Sequence, residues 1–169
     1  MTEKVSLREY QRNLSARLVN LEAGQAASKL GLQVGKDRWL IDLADAGEVI
    51  PVPLIAAVPL TQSWFAGVAN IRGNLYSIID FPAFLGGAPV TITDQTRLLL
   101  IGDRYRMNSG LLVDRVLGLY RDDQLQVDDN AAALPWIAAQ YTDNQSNGWK
   151  QLSVRELVAH PDFLQVGIS

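Results

Sequence analysis

The hydrophobic positions of this chain follow two patterns, one helical and one extended. Over residues 6–23 the apolar side chains recur every three or four positions, which predicts an amphipathic helix. Its apolar stripe consists of Leu7, Tyr10, Leu14, Leu18 and Leu21. Ser6 and Glu9 have the spacing of a capping box at its start. We interpret this helix as packing on the domain surface, with a docking helix for a partner protein as the alternative.

Beyond this segment the apolar residues alternate with polar ones or form short runs, as they do in β-strands. Leu30, Leu32 and Val34 alternate with small or polar residues, and residues 97–101 form a nearly continuous apolar strand. Glycine, proline and Asp/Asn clusters separate these segments. The pattern predicts an all-β domain built from small barrels and flanked by helices.

Two further features refine this organisation. Ser153 and Glu156 form a second capping box, which predicts a short helix over residues 154–159. The strand–turn–strand sequences of residues 32–39 and 99–105 resemble each other. This weak internal duplication indicates two similar β-units.

The most informative stretch predicts a β-hairpin followed by a short helix. Residues 68–72 and 75–79 are its two strands, and Gly73-Asn74 is the tight loop between them. Glycine and asparagine suit such a loop because they tolerate positive φ angles. Asp80 is placed to cap the helix that follows.

Two polar residues, Asn70 and Arg72, stand on the first predicted strand of this hairpin. We expect their side chains to face the same side of the strand, with Val68 continuing that face. The guanidinium fork of Arg72 can bind a carboxylate or a carbonyl of a partner. In the alternative, Arg72 pairs within the fold, with Asp80 or Asp114.

Composition excludes several classes of site. The net charge of −3 argues against a sequence-independent grip on nucleic acid. The chain has no cysteine and a single histidine, His160, which excludes thiolate and multi-histidine metal sites. Neither a phosphate-binding glycine loop nor a nucleophile motif is present. We therefore expect that the protein is not an enzyme and that it binds neither a cofactor nor a metal ion.

Hydropathy bears on location. No apolar run is long enough to span a bilayer, and the first residues lack the apolar core of a signal peptide. We expect a cytoplasmic protein without direct membrane insertion. Two other functions stay open: a small barrel that binds nucleic acid or a ligand, for which Trp39 beside Arg38 is suggestive, and an unrecognised hydrolase.

Residues 67–73 and 78–81 carry a family signature. Their sequences, G-V-A-N-I-R-G and I-I-D-F, resemble the pattern G-V-x-N-[LI]-R-G…[VI]-[IV]-D-[LF] of CheW-like domains, the coupling proteins of bacterial chemosensory arrays. The resemblance covers roughly residues 28–160. The closing pattern W-K-Q-L-S-V-R-E-L and the long N-terminal helix resemble the subgroup that serves type IV pilus chemosensory systems.

The resemblance implies two five-stranded SH3-like β-barrels that share a core, with an N-terminal helix and a short C-terminal helix. Residues 1–27 would be a helical extension and residues 28–169 the CheW-like domain. The implied function is that of a non-catalytic adaptor in pilus-mediated twitching motility, located at membrane-associated receptor arrays. Its implied partners are the cytoplasmic tip of a chemoreceptor and the regulatory domain of a CheA-type histidine kinase.

The resemblance also implies two binding surfaces. The receptor's helical hairpin tip would bind in the groove between the barrels, and the candidate receptor-binding residues are Val68, Asn70, Arg72 and Gly73. The kinase would dock on an apolar barrel edge away from Arg72. The candidate kinase-binding residues are Gly110, Leu112, Val116 and Leu119.

Overall fold

The computed structural model describes Gln11, residues 27–130 and residues 133–168. Apart from Gln11, the predicted N-terminal helix lies outside these residues. The described part is mostly β-structure, as the alternating pattern predicts, and its strands form two sheets. The strands are β1 (Lys29–Val34), β2 (Asp37–Asp42), β3 (Ala46–Pro51), β4 (Phe65–Ile71), β5 (Asn74–Asp80), β6 (Arg97–Ile101), β7 (Ser109–Val113), β8 (Arg115–Tyr120), β9 (Leu125–Asp128), β10 (Ile137–Asp143) and β11 (Gly148–Leu152). The α-helices are α1 (Phe81–Phe84), α2 (Val154–Ala159) and α3 (Pro161–Leu164).

The first sheet has the strand order β8-β1-β2-β11-β10-β9. Strands β1 and β2 form a hairpin, and β8 lies antiparallel along the other side of β1. Strand β11 pairs with β2 in parallel and forms a second hairpin with β10. The short strand β9 pairs with β10 at the sheet edge. It gives this sheet six strands where five were predicted.

The second sheet has the order β3-β6-β7-β5-β4 and repeats the plan of the first. The hairpin β6–β7 is flanked by the antiparallel strand β3, and β7 pairs in parallel with β5 of the hairpin β4–β5. Residues 32–39 lie in the hairpin β1–β2, whereas residues 99–105 cover the end of β6 and a 3-10 turn that precedes β7, so the predicted second strand of this segment starts later than expected. The second sheet is therefore formed by a stretch of chain inserted between β2 and β8, and the two units are intertwined.

Apolar side chains pack in layers because the sheets are covered on more than one face. Along β6, Leu98 and Leu100 belong to a cluster within the second sheet, whereas Leu99 and Ile101 belong to a larger cluster that also contains Trp39 of the first sheet. This explains the continuous apolar run of β6, since both of its faces are buried. The larger cluster is a core shared by the two sheets, as the resemblance implies.

Two helices begin directly after the capping residues that the sequence predicts. The Asp80 carboxylate accepts hydrogen bonds from Ala83 N at 3.2 Å and from Val90 N at 3.0 Å, and it caps α1. Burial raises the pKa of Asp80, although these two backbone hydrogen bonds act to lower it. Ser153 accepts from Glu156 N at 3.3 Å and caps α2. These hydrogen bonds confirm both predicted caps. The caps could be predicted because capping depends on residues that are close in sequence.

Candidate partner-binding surfaces

The hairpin β4–β5 turns at Arg72 and Gly73. Their φ angles of +52° and +85° are both positive, as a two-residue type I′ turn requires, and Ile71 pairs with Asn74 on either side. The predicted loop, Gly73-Asn74, is therefore wrong by one residue. Arg72 lies in the turn itself and not on the strand, and it adopts a left-handed conformation that is uncommon for arginine.

Asn70 has a structural role in this turn that the sequence analysis did not predict. Its side-chain Oδ1 accepts a hydrogen bond from Gly73 N at 2.9 Å. The bond satisfies a turn amide and supports the positive φ angles, as Asx side chains do in turns. Asn70 nevertheless stays exposed, so it can also contact a partner.

Arg72 forms a bidentate ion pair with Glu48 of the edge strand β3. Arg72 Nη1 donates to Glu48 Oε1 at 2.7 Å, and Arg72 Nη2 donates to Glu48 Oε2. The hydrogen bonds and the charge of Glu48 raise the pKa of Arg72. The arginine side chain is 58% exposed and the glutamate side chain 16%, so the pair lies at the surface.

The alternative intramolecular partners predicted for Arg72 are wrong. Asp80 caps α1, and the Asp114 carboxylate accepts from Gly35 N at 2.6 Å. Glu48 is 24 residues from Arg72 and lies on β3, which is the edge of the second sheet opposite to β4. The two residues meet only because this sheet curls until its edges approach each other.

A groove of about 490 Å³ lies at the same end of the second sheet. Its lining includes Arg72, Glu48, Tyr76 and Leu100, together with the turn between β6 and β7, which contributes Arg104. Its lining carries both signs of charge, and it also includes apolar side chains of the second-sheet cluster. The groove therefore offers both ion pairs and apolar contact to a partner.

Two other receptor-binding candidates, Asn70 and Val68, lie on the face of the hairpin that is directed away from the groove. In the β4–β5 register Asn70 pairs with Leu75 and Val68 pairs with Ser77, so these four side chains share one face. Arg72 reaches Glu48 in the groove, which these residues do not line. The prediction that Asn70 and Arg72 face the same side is wrong, because Arg72 belongs to the turn.

Leu75 is the residue of this face, which we call the outer face of the hairpin, that the sequence analysis did not predict. Its side chain is 64% exposed although it stands on a strand of an otherwise well packed sheet. The same sheet face carries Ile79, which packs in the core shared by the sheets. No pattern in the sequence identifies it, because its exposure depends on how the hairpin packs in the fold.

The kinase-binding candidates separate into buried and accessible residues. Gly110 and Leu112 lie on β7, the central strand of the second sheet, where Leu112 is 2% exposed. A Cβ atom on Gly110 would lie 2.7 Å from Leu98 Cδ1. Neither residue offers surface to a partner, and both predictions are corrected. Parallel pairing of β7 with β5 buries this strand, and the local sequence does not specify that pairing.

Val116 and Leu119 are placed differently. Both lie on β8, an edge strand of the first sheet, and both are partly buried against the shared core. An edge strand keeps one row of peptide groups unpaired by its own sheet. These two residues thus remain candidates for an apolar contact at a barrel edge.

The residues that suggested other functions have structural roles. Trp39 is 1% exposed and packs edge-on against Phe81, so it cannot stack on a nucleic-acid base. His160 Nδ1 accepts from Asp162 N at 3.1 Å and caps α3. Within the described ranges, no group of three or more His, Cys, Asp or Glu residues could hold a metal ion. No helix among those residues has the length and hydropathy of a membrane span.

The family is established by comparison with known proteins. Residues 29–160 match the CheW-like domain family, and the chain belongs to it. The solved scaffolding protein TtCheW from Thermoanaerobacter tengcongensis has the same fold, with a TM-score of 0.63 at 16% identity over 75% of this chain and 88% of that one. The predicted resemblance and the β-architecture are confirmed.

Similarity to one relative extends further along the chain than the family match. Protein PilI of Pseudomonas aeruginosa is 29% identical over 171 residues, covering 97% of this chain and 94% of that protein. The chemotaxis protein CheW of Thermotoga maritima is 28% identical over 59% of this chain. Protein FrzA of Myxococcus xanthus is 32% identical over 53% of this chain. The similarity to PilI thus includes the N-terminal segment that precedes the family match.

Proposed function

We propose that this protein is a non-catalytic adaptor that couples chemoreceptors to a CheA-type histidine kinase in a chemosensory system controlling type IV pili and twitching motility. Membership of the CheW-like family supports the adaptor role. Similarity to PilI over nearly the whole chain supports the pilus system. The protein would act in the cytoplasm at membrane-associated receptor arrays, with residues 28–169 as the coupling domain and residues 1–27 as its extension.

The observation that carries the receptor-binding role is the exposed Arg72–Glu48 pair at the rim of a groove. An arginine held in a turn by its own ion pair is already ordered, so a partner loses little entropy on meeting it. Its remaining N–H groups can donate to carboxylates or helix-terminal carbonyls of a receptor tip. Binding therefore does not require the Glu48 pair to break.

The outer face of the same hairpin completes the receptor surface. Val68 and Leu75 supply apolar area, and Asn70 stands between them with an exposed amide. An amphipathic receptor helix can place its apolar side on this face and its polar edge towards the turn at Arg72 and Gly73. The receptor would then contact both sides of the hairpin tip.

The kinase would bind at the edge strand β8, away from Arg72. Val116 and Leu119 are partly exposed there, and β8 lies at the outer edge of the first sheet. A homologous barrel could extend this edge or pack upon it. The receptor and the kinase would then occupy different sheets, so one adaptor can hold both partners at once.

The test is a matched pair of binding measurements with a receptor cytoplasmic fragment and the kinase regulatory domain from the same organism. Leu119→Glu should weaken binding of the kinase fragment and leave receptor binding unchanged. Val127→Glu is the control, because Val127 is 69% exposed on β9 at the opposite edge of the same sheet. Equal kinase affinity for a folded Leu119→Glu variant and the wild type would refute the β8 surface.

A further inference from the structure

One residue of the N-terminal segment contacts the groove that contains Arg72. Gln11 is partly buried, and its Nε2 donates to the carbonyl oxygen of Gly47 at 3.4 Å. Gly47 lies on β3, directly before Glu48, and Gln11 itself lines the groove together with Arg72 and Tyr76. Part of the proposed receptor surface is therefore in contact with this chain's own N-terminal segment.

The sequence pattern indicates which side of that segment faces the groove. In a helix over residues 6–23, Gln11 stands four positions after Leu7 and three before Leu14, so the three side chains are neighbours on the helix surface. Leu18, seven positions after Gln11, is on nearly the same line. In such a helix, contact through Gln11 would turn the apolar stripe towards the domain.

The connecting chain is long enough for this placement. Leu43 N donates to the carbonyl oxygen of Ser28, so the start of the domain lies beside the segment that leads to β3. The five residues from Leu43 to Gly47 are joined by four peptide units, which span at most about 14 Å. The residues between Gln11 and Ser28 span roughly 18 Å as a helix over positions 11–23, and the remaining linker adds to this. The chain is therefore long enough for a helix over these residues to run back along β3.

We propose that residues 6–23 dock as an amphipathic helix on the second sheet across the groove beside Arg72, where they compete with the receptor helix. The occupant of the groove in the free protein is thus a segment of the same chain. The competition rests on the proposed receptor-binding function, whereas the docking itself does not. Receptor binding would release the segment, and its affinity would include the cost of that release.

Cysteine crosslinking tests the docking on the full-length chain, which has no native cysteine. Gln11→Cys combined with Asn74→Cys places two thiols at the groove, since Asn74 is exposed and lines it. Ala16→Cys with Asn74→Cys is the control, because position 16 falls on the side of the predicted helix away from the stripe. A short bis-maleimide should join the first pair within one chain several-fold faster than the control pair.

Substitutions in the apolar stripe of residues 6–23 test whether this stripe is responsible for the crosslinking. Leu14→Glu with Leu18→Glu, added to the first cysteine pair, should reduce crosslinking to the control rate. Ala16→Glu with Asn20→Glu, on the opposite side of the predicted helix, should leave it unchanged. Equal rates for the two cysteine pairs, or crosslinks that form only between two chains and disappear on dilution, overturn the docking.

The competition is measured with a purified receptor cytoplasmic fragment. If the docked state is about nine times as populated as the open state, Leu14→Glu with Leu18→Glu should bind the fragment roughly tenfold more tightly than the wild type. Equal affinity of the two proteins, with crosslinking intact in the wild type, overturns the competition. Failure of every variant to bind any receptor fragment refutes the proposed function, while crosslinking still decides the docking.

Discussion

Two hairpins of this protein, β4–β5 and β10–β11, occupy the same position in the two sheets and differ in where their turn residues are directed. Each has its second strand paired in parallel with a neighbouring hairpin, β5 with β7 and β11 with β2. Each has a register shift near the start of its first strand, between Phe65 and Gly67 or between Ile137 and Ala139. The backbone plan is therefore shared.

The polar groups of the two turns have different partners. In β10–β11, the Asp143 carboxylate accepts from Gln145 N, from Asn147 N and from the indole Nε1 of Trp149 at 2.9 to 3.0 Å. It therefore links the backbone of the loop to the buried Trp149 side chain. In β4–β5, Asn70 satisfies one turn amide and Arg72 is directed to an exposed ion pair. One turn stabilises its own barrel, and the other presents charge to solvent.

The comparison shows that two hairpins with the same backbone plan can differ in which polar groups their turns leave exposed. A loop whose carboxylate is fully used within the fold has little left for a partner, whereas a two-residue turn with an exposed guanidinium does. On this basis we expect variants of β10–β11 to affect stability, and variants at the tip of β4–β5 to affect binding.

The largest expected effect is at the start of β4. Gly67 has a φ angle of +140°, and a Cβ atom there would lie 2.2 Å from the carbonyl oxygen of Ala56. Gly67→Ala should therefore destabilise the fold by about 3 kcal/mol or more. At the corresponding position of β10, Ala139→Gly should cost only about 1 kcal/mol. Urea unfolding of both variants measures the difference, and similar midpoints would contradict the argument.

The second largest effect concerns Asp143. Asp143→Ala leaves the buried Trp149 indole and loop amides without their acceptor and should cost about 1–3 kcal/mol. Asn144→Ala, an exposed residue of the same loop, is the control. Thermal unfolding at neutral pH gives both values, and an Asp143→Ala melting temperature equal to that of the control would show that this acceptor is dispensable.

The same carboxylate predicts an acid transition. Although burial acts to raise it, hydrogen bonds from Trp149, Asn147 and Gln145 lower the pKa of Asp143 from 3.8 to about 2. Because the folded-state pKa is depressed, the contribution of Asp143 is complete above pH 3.8 and is lost as the pH falls towards 2. Stability measured from pH 5 to pH 2 should fall more steeply in the wild type than in Asp143→Asn. Parallel curves would exclude this contribution.

Arg72→Ala should affect binding and leave stability almost unchanged. The Arg72 side chain is 58% exposed, so its ion pair with the less exposed Glu48 lies at the surface, where ion pairs contribute little to folding. Loss of the guanidinium should weaken binding of a receptor fragment about tenfold or more and spare kinase binding. Arg121→Ala, which removes the exposed Arg121–Asp123 pair between β8 and β9, is the control for stability and receptor binding. A large fall in melting temperature, or equal loss of both partners, would assign Arg72 a structural role.

The smallest effect is expected for Asn70→Ala. Loss of the bond to Gly73 N should cost about 0.5–1.5 kcal/mol, since the amide can turn to water at this exposed site. Asn74→Ala, on the other side of the turn, is the control. Chemical unfolding compares them, and a stability of Asn70→Ala equal to that of Asn74→Ala would show that the Asx contact is not needed for the turn.

Local chemistry was predictable from the sequence. The α1 cap at Asp80, the α2 cap at Ser153, the strand Arg97–Ile101 and the family signature each depend on residues within one turn or one strand. Neighbours along the chain determine such features through capping, periodicity and turn propensity. The hairpin tip was predicted to within one residue for the same reason.

The rest was decided only by the tertiary structure. Packing of side chains on the central strand β7 buries Gly110 and Leu112, and curling of the second sheet brings Glu48 of its edge strand β3 to Arg72 of the β4–β5 hairpin. Sheet hydrogen bonds join backbone N–H and C=O groups, which are the same at every residue except proline. The sequence of a strand therefore does not specify which other strand it pairs with. That choice comes from packing both sheets on one core, which also determines whether a strand residue reaches a partner or stays buried.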